Sequence, residues 1–570
     1  MAQLRYTVSY RSPNRQLIDI ELHVSGIAED TLEIHLPNWR PGRYEMGNFA
    51  RNIRSFGVFN ASNQALPFEK TAKNIWQVAC AGHKELFIRY DYYAAELNAG
   101  STWLDDEQLY VNPVNCMVYL PHRMHEPCIL RLQVPNDYKV AIDLAAASEP
   151  YTYTAENYDR LADAPFIASK ELKHHAFDEC GYRFHLWFMG RVDPPFEKLE
   201  PDFRKFCREQ LNTMGALPGP EYHFIFQILP IAWYHGVEHT FSTVCALGPG
   251  QSVFEGKGYE DLLGVSSHEL FHAWNIKTIR PMDMAPYDFD RENYSRLGWI
   301  YEGITTYYGD QFLIRSGVFN AEQFLSTLNE KLNKHFVSYG RLNQAVADAS
   351  FDTWLDGYVP GIPHRKTSIY TEGSLIAFIL DMMIREANAG QKSLDDLMIQ
   401  LKQDASYTKN SVLHHLTALG VSDAEIFYSQ YIELPGNLEP LLDYYFEQLG
   451  LKMEVHLPYS ESEHRWGFTL VEHGASWLVG LVAPDSPAEH AGLCKGDVLV
   501  AAQGIRISKQ AIKQALANDN LDLHVFRSEQ IKTLRLIGDG KHYFESRKVS
   551  LHPNADQNQL NARKKWSINL

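Results

Sequence analysis

Ser266-Ser267-His268-Glu269-Leu270-Phe271-His272-Ala273-Trp274-Asn275 decides how this chain is read, because it contains His-Glu-x-x-His within an apolar setting. On a helix of about 3.6 residues per turn, residues four apart lie one above the other on the same face. His268 and His272 therefore form a two-toothed clamp for a metal, and imidazole suits Zn2+. Glu269 sits beside the first histidine, where it can take a proton from a water that a metal has acidified. One helical turn thus offers two ligands and a general base. The alternative is a solvated helical face, although chance places this pattern only about 0.06 times in a chain with this His content.

At 570 residues and 65.3 kDa the chain exceeds what one core organises, so several domains are expected. Hydrophobic residues make up 45% and aromatics 12%, enough to fold without disulfides. A net charge of −17 argues against nucleic acid and anionic membrane surfaces as partners. The seven cysteines form no C-x-x-C pair and read as buried thiols in a reducing compartment. Met1 to Val8 reads as a strand with no apolar signal core, and no run approaches membrane-span length. The expectation is a soluble cytoplasmic protein.

Residues 1–170 alternate apolar and polar positions, as in Leu17 to Val24 and Leu86 to Tyr92, which predicts an all-β domain of antiparallel strands. Within it, Leu36-Pro37-Asn38-Trp39-Arg40-Pro41-Gly42-Arg43-Tyr44 reads as a rigid turn with exposed aromatics, either lining a groove or forming a structural corner. Residues 171–458 change character. Tyr222 to Pro230 reads as a buried strand, and Trp233 to Thr240 follows as a strand edge. There Gly236 and Val237 could pair with a peptide backbone while Glu238 receives a positive group such as a free α-amine; the competing reading is a hairpin with a surface Glu.

The motif helix is predicted over 259–276, with Leu262, Leu263, Val265, Leu270, Phe271 and Trp274 buried, followed by a polar loop to about 295 and a second helix from near Leu297. Two carboxylates compete as third ligand. Glu292 lies in the charged loop segment Asp288 to Asn293, whereas Glu302 lies in an apolar helix that would present it inward. A ligand needs packed support, so Glu302 is chosen and Glu292 is read as solvated. Residues 309 to about 455 read as mainly helical, with segments Ala321 to Phe336, Leu375 to Glu386, Leu394 to Gln403 and Leu438 to Leu449. Tyr370 stands at a helix N-terminus, where its hydroxyl either donates to a developing oxyanion or is merely packed.

Taken together, Gly236-Val237-Glu238-His239, His268 to Asn275, Trp299 to Thr305 and Tyr370-Thr371-Glu372-Gly373 resemble the glycyl aminopeptidase family of zinc metallopeptidases, which carry a PDZ domain. They are more distantly similar to the aminopeptidase N and leukotriene A4 hydrolase group. The resemblance implies a thermolysin-like zincin (gluzincin) domain, one Zn2+ per chain on His268, His272 and Glu302, Glu269 as base, Tyr370 as transition-state donor and Glu238 as amine anchor. It also implies a preference for small N-terminal residues, Gly or Ala. His239 stands where the distant group has Asn, and Glu372 where it has Lys.

Residues 459–545 contain Ser486-Pro487-Ala488, Ala491-Gly492-Leu493 and Gly496-Asp497-Val498-Leu499, similar to a bacterial-type PDZ domain that pairs a peptide C-terminus with a strand near Trp466-Gly467-Phe468. Residues 546–570 read as a polar, basic, loosely ordered tail. The expectation is a multidomain α+β protein: an N-terminal β-sheet domain, a thermolysin-like peptidase domain with a helical C-terminal part, and a PDZ domain. Its expected activity is zinc aminopeptidase on peptides with a free N-terminus. A PDZ-guided zinc endopeptidase and a catalytically inert peptide-binding scaffold are the rivals.

Overall fold

The computed structural model describes residues 4–359, 361–474, 476–567 and 570. In the N-terminal part, period-two sequence becomes sheet. Leu17–Ser25 pairs along its full length with Glu85–Tyr93, and Ile18, Ile20, Leu22 and Val24 point into the core. These strands belong to an eight-stranded sheet that shares its core with a three-stranded sheet of Thr31–His35, Ile75–Ala79 and Phe68–Ala72. The expectation that all strands run antiparallel fails at one place. Leu4–Ser9 is antiparallel to Leu17–Ser25 but parallel to Cys128–Leu132. Alternation sets which face of a strand is buried, not the direction of a neighbour more than a hundred residues away. Met1 to Gln3 lie outside the described residues.

The turn at 36–44 also departs from its reading. Trp39, Arg40 and Tyr44 are buried, not exposed. The Trp39 ring lies 5.3 Å from both Tyr287 and Trp354, and the Asn38 amide donates to the Phe289 carbonyl at 2.8 Å. Surface that a free β domain would expose is covered by the middle part of the chain.

That part begins with a five-stranded sheet ordered Lys173–Glu179, Tyr182–Met189, Glu221–Ile228, Ser242–Gly248 and Trp233–Glu238. The last strand is the edge, antiparallel to Ser242–Gly248 on one side only. The motif helix, Gly256–His272, packs against this edge and ends four residues short of the predicted 276; the six apolar positions named above are all buried, Trp274 in the turn that follows the helix. A π-helical turn, Trp299–Ile304, leads into the helix Thr305–Arg315. Beyond it stand Ala321–Val337, Ile369–Ala387, Leu394–Asp404 and Glu439–Gln448, close to their predicted places. Lys409–Ala418 and Ala424–Tyr431 are helices too short for a clear period.

A six-stranded sheet and the helix Lys509–Leu516 form the PDZ domain. Trp466 is its largest fully buried side chain, its indole N–H donating to the Leu516 carbonyl at 2.8 Å. The tail is not loosely ordered. Ser546–Leu551 pairs antiparallel with Leu451–His456, so a two-stranded ribbon brackets the PDZ domain. Asp556 caps the helix Gln557–Trp566 through the amides of Asn558 and Gln559, and buried Trp566 donates to the Tyr307 hydroxyl at 2.8 Å. One aromatic anchor outweighs a polar composition. Ile568 and Asn569 lie outside the described residues. Five cysteines are buried, but Cys180 and Cys494 are exposed in loops, which corrects their reading as buried thiols. No helix among the described residues is long and apolar enough to cross a membrane.

Candidate active site

The motif helix presents both histidines to one pocket. His268 Nε2 and His272 Nε2 are 3.0 Å apart, and His272 Nε2 is 3.6 Å from Glu302 Oε2. A tetrahedral zinc with bonds of about 2.0–2.1 Å holds its nitrogens roughly 3.3 Å apart, so the donor set fits such an ion in type and spacing. The tautomer fits as well. His272 Nδ1–H donates to the Asn275 carbonyl at 2.8 Å, which leaves the Nε2 lone pair facing the centre. Burial, with the charge of its neighbour His272, holds His268 well below the usual imidazole range; burial also lowers His272. Both shifts favour the neutral form that a metal ligand needs.

Glu302 comes from the π-helical turn, a distortion often found at functional positions. Its other oxygen accepts from the Tyr44 hydroxyl at 2.6 Å. Glu292 belongs to no cluster of ligand atoms among the described residues, while His268, His272 and Glu302 form one whose ligand atoms lie within 4.8 Å of one another. A second such group, Glu238, Glu269 and His272, adjoins it.

Glu269 lies against the edge strand so closely that a Cβ on Gly236 would sit 2.1 Å from its Oε1. Only glycine leaves that room. Its Oε2 is buried without a hydrogen-bond partner among the described residues. Glu238, at the end of the same strand, pairs through its backbone with Thr243, but its carboxylate has no ion pair or hydrogen bond among the described residues, and Val237 is buried in the core behind it. Over Glu238 folds the 36–44 turn: a Cβ on Gly42, whose φ is +79°, would lie 2.4 Å from Glu238 Oε2. Burial and the charge of Glu238 push the Glu302 carboxyl well above its usual range, and burial with Glu238 and Glu302 does the same to Glu269. Three carboxylates buried together repel one another, and cationic occupants relieve that repulsion.

Tyr370 stands at the rim in the first turn of Ile369–Ala387, 37% exposed, and its hydroxyl has no hydrogen bond to another described residue. Desolvation and the Glu302 charge push its phenol well above the ordinary value. Glu372, where the distant group has Lys, turns away to His335 Nδ1 at 2.7 Å. The structure thus brings His268, His272, Glu302, Glu269, Glu238, Gly236 and Tyr370 close together. Reasoning from sequence missed Tyr44, Gly42 and the Asn275 carbonyl. The aromatic-rich turn, read as exposed, was the signal in the sequence for the first two.

Profile comparison matches residues 5–170 to the peptidase M61 N-terminal domain, 261–376 to M61 glycyl aminopeptidase and 478–525 to a PDZ domain. Comparison with curated proteins gave no match. Among solved structures, an aminopeptidase N family protein from Idiomarina loihiensis is 26% identical with a TM-score of 0.89, covering 99% of this chain and 100% of its own. An M1 zinc metallopeptidase from Deinococcus radiodurans, solved as a variant bound to Tyr-Ser-Ala, is 13% identical with a TM-score of 0.50, covering 77% of this chain and 95% of its own; it shares the fold. By these matches the chain is a zinc aminopeptidase whose N-terminal and catalytic segments are similar to the M61 glycyl aminopeptidase family and whose C-terminal segment is similar to a PDZ domain.

Proposed function

We propose that this chain removes single residues, preferably Gly or Ala, from the N-terminus of peptides, with one Zn2+ held by His268, His272 and Glu302. Bound there, zinc supplies a Lewis acid for the scissile carbonyl and lowers the pKa of water towards neutrality. Glu269 takes the proton of the attacking water through its unpartnered Oε2 and returns it to the leaving amine. Tyr370 donates its free hydroxyl to the oxyanion as charge develops. Gly236 and Val237 align the substrate backbone along the open strand edge.

The observation that carries this reading is the setting of Glu238. Glu238 is buried, its carboxylate has no hydrogen bond or ion pair among the described residues, and the Gly42 backbone packs close against that carboxylate. A peptide whose ammonium occupies Glu238 has no residue before it. An endopeptidase needs the cleft to continue past that point, and an inert scaffold has no use for an unpaired Glu269 beside two histidines. The preference for Gly and Ala is drawn from the similarity to the glycyl aminopeptidase family. The PDZ domain is assigned to capturing a peptide C-terminus near Trp466-Gly467-Phe468, and the free thiols accord with a cytoplasmic setting. The domains are taken as 1–170, 171–458 and 459–545.

The test compares kcat/KM for glycyl, alanyl and leucyl amides with their N-acetylated forms. Gly and Ala substrates should exceed Leu by about tenfold or more, the range that pocket size alone supplies, and acetylated substrates should not turn over. Equal rates for Leu would refute the preference. Cleavage of acetylated substrates would refute the anchor.

A further inference from the structure

We propose that Tyr44 is a positioning residue for the metal centre, so that the N-terminal β domain completes a site whose ligands all lie in the catalytic domain. The inference rests on the assignment of Glu302 as a ligand. Glu302 Oε2 faces His272 Nε2, and Glu302 Oε1 accepts the Tyr44 hydroxyl across 258 residues of sequence, both side chains being buried. With one oxygen so occupied, the carboxylate plane is fixed and the other oxygen is the one left for a metal. A ligating carboxylate held in this way stays in register as the ion comes and goes.

The phenol is itself held. The Tyr44 amide donates to the Tyr358 hydroxyl at 3.2 Å. Its ring lies 5.8 Å from that of Tyr301 and meets Trp354 edge-on at 6.1 Å. Behind it, the Trp39 indole donates to the Arg43 carbonyl, and the Gly47 amide donates to the Asn38 carbonyl at 2.7 Å, closing the turn. This fixes where the hydroxyl points before any metal arrives. Substitution by Phe removes one oxygen atom, keeps the ring packing and leaves Glu302 Oε1 buried without its donor.

The experiment measures zinc dissociation constants by competition with a chromophoric chelator for wild type, Tyr44→Phe and Glu302→Gln, with circular dichroism to verify the fold. The visible absorption of the cobalt-substituted proteins is a second readout. Tyr44→Phe should bind zinc about 10- to 100-fold more weakly and shift the cobalt bands while keeping the fold; Glu302→Gln should lose still more affinity. If Tyr44→Phe binds zinc as wild type does while Glu302→Gln does not, the positioning role is wrong and the ligand assignment stands. If Glu302→Gln also binds normally, the ligand assignment fails and the inference with it.

Discussion

Gly303→Ala should separate the two helices that carry Glu302 and Tyr370. A Cβ on Gly303 would lie 2.4 Å from the Gly373 Cα and 2.5 Å from its carbonyl carbon, and a Cβ on Gly373 would lie 2.7 Å from the Gly303 Cα. These are backbone atoms, so no side chain can swing aside. Carbon atoms pack at about 3.5–4.0 Å, which requires the helices to part by roughly 1 Å. Glu302 immediately precedes Gly303, and Tyr370 lies one turn before Gly373. A displacement of about 1 Å between groups aimed at one reacting centre costs about 100-fold in rate, and the overpacking costs about 1–3 kcal/mol of stability. The assay is kcat/KM on an alanyl amide together with denaturant unfolding. Gly264→Ala is the control: nothing lies within 4 Å of its Cβ, and alanine gains up to about 1 kcal/mol of helix propensity. A Gly303→Ala enzyme within about threefold of wild type and equally stable would refute the reasoning.

Gly236→Ala should displace Glu269 from the strand edge, lowering kcat by about 100-fold with zinc still bound; unchanged kcat would contradict the fit between strand and base. Asp163 accepts from Lys277 Nζ at 2.8 Å, and although burial opposes its charge, Lys277 and His239 hold its carboxyl well below the usual range. Its contribution to stability is therefore present above the unfolded carboxylate pKa and fades as pH falls through the depressed folded value. Asp163→Asn should destabilise the protein at pH 7 by about 3–5 kcal/mol, since Lys277 is left buried and unpaired, and unfolding midpoints in urea will show whether it does. Burial, then the charges of His185 and His175, lower His174 to about 4. The unfolded chain takes up that proton first, so stability falls as pH drops from about 6.5 towards 4. NMR titration of histidine-labelled protein should give this midpoint, and a value at or above the ordinary one would contradict the packing.

Local spacing made the clustering of His268, His272 and Glu302 readable. His268 and His272 share a helical face by arithmetic, Glu269 follows from adjacency, and Glu302 follows because an apolar helix presents a ligand better than a charged loop does. What could not be read depends on approaches between distant segments. Nothing in Trp39 to Tyr44 says that the catalytic domain covers it, so its aromatics read as exposed; in the fold the same residues reach Glu302 and Glu238. Leu4–Ser9 shows its buried face but not that one neighbour is parallel. The C-terminal segment is polar in composition, yet Trp566 ties it to Tyr307, whose hydroxyl in turn donates to Asp381 at 2.7 Å. The π-helical turn around Glu302 leaves no mark in residue type.

The most direct test pairs wild type with Glu269→Gln, measuring bound zinc and the hydrolysis of free and N-acetylated alanyl amides on the same samples. The account predicts full zinc in both proteins, cleavage of only the free-amine substrate by wild type, and loss of that cleavage in the variant. Wild-type turnover of the acetylated substrate, undiminished activity in Glu269→Gln, or a wild-type protein that binds no zinc would contradict it.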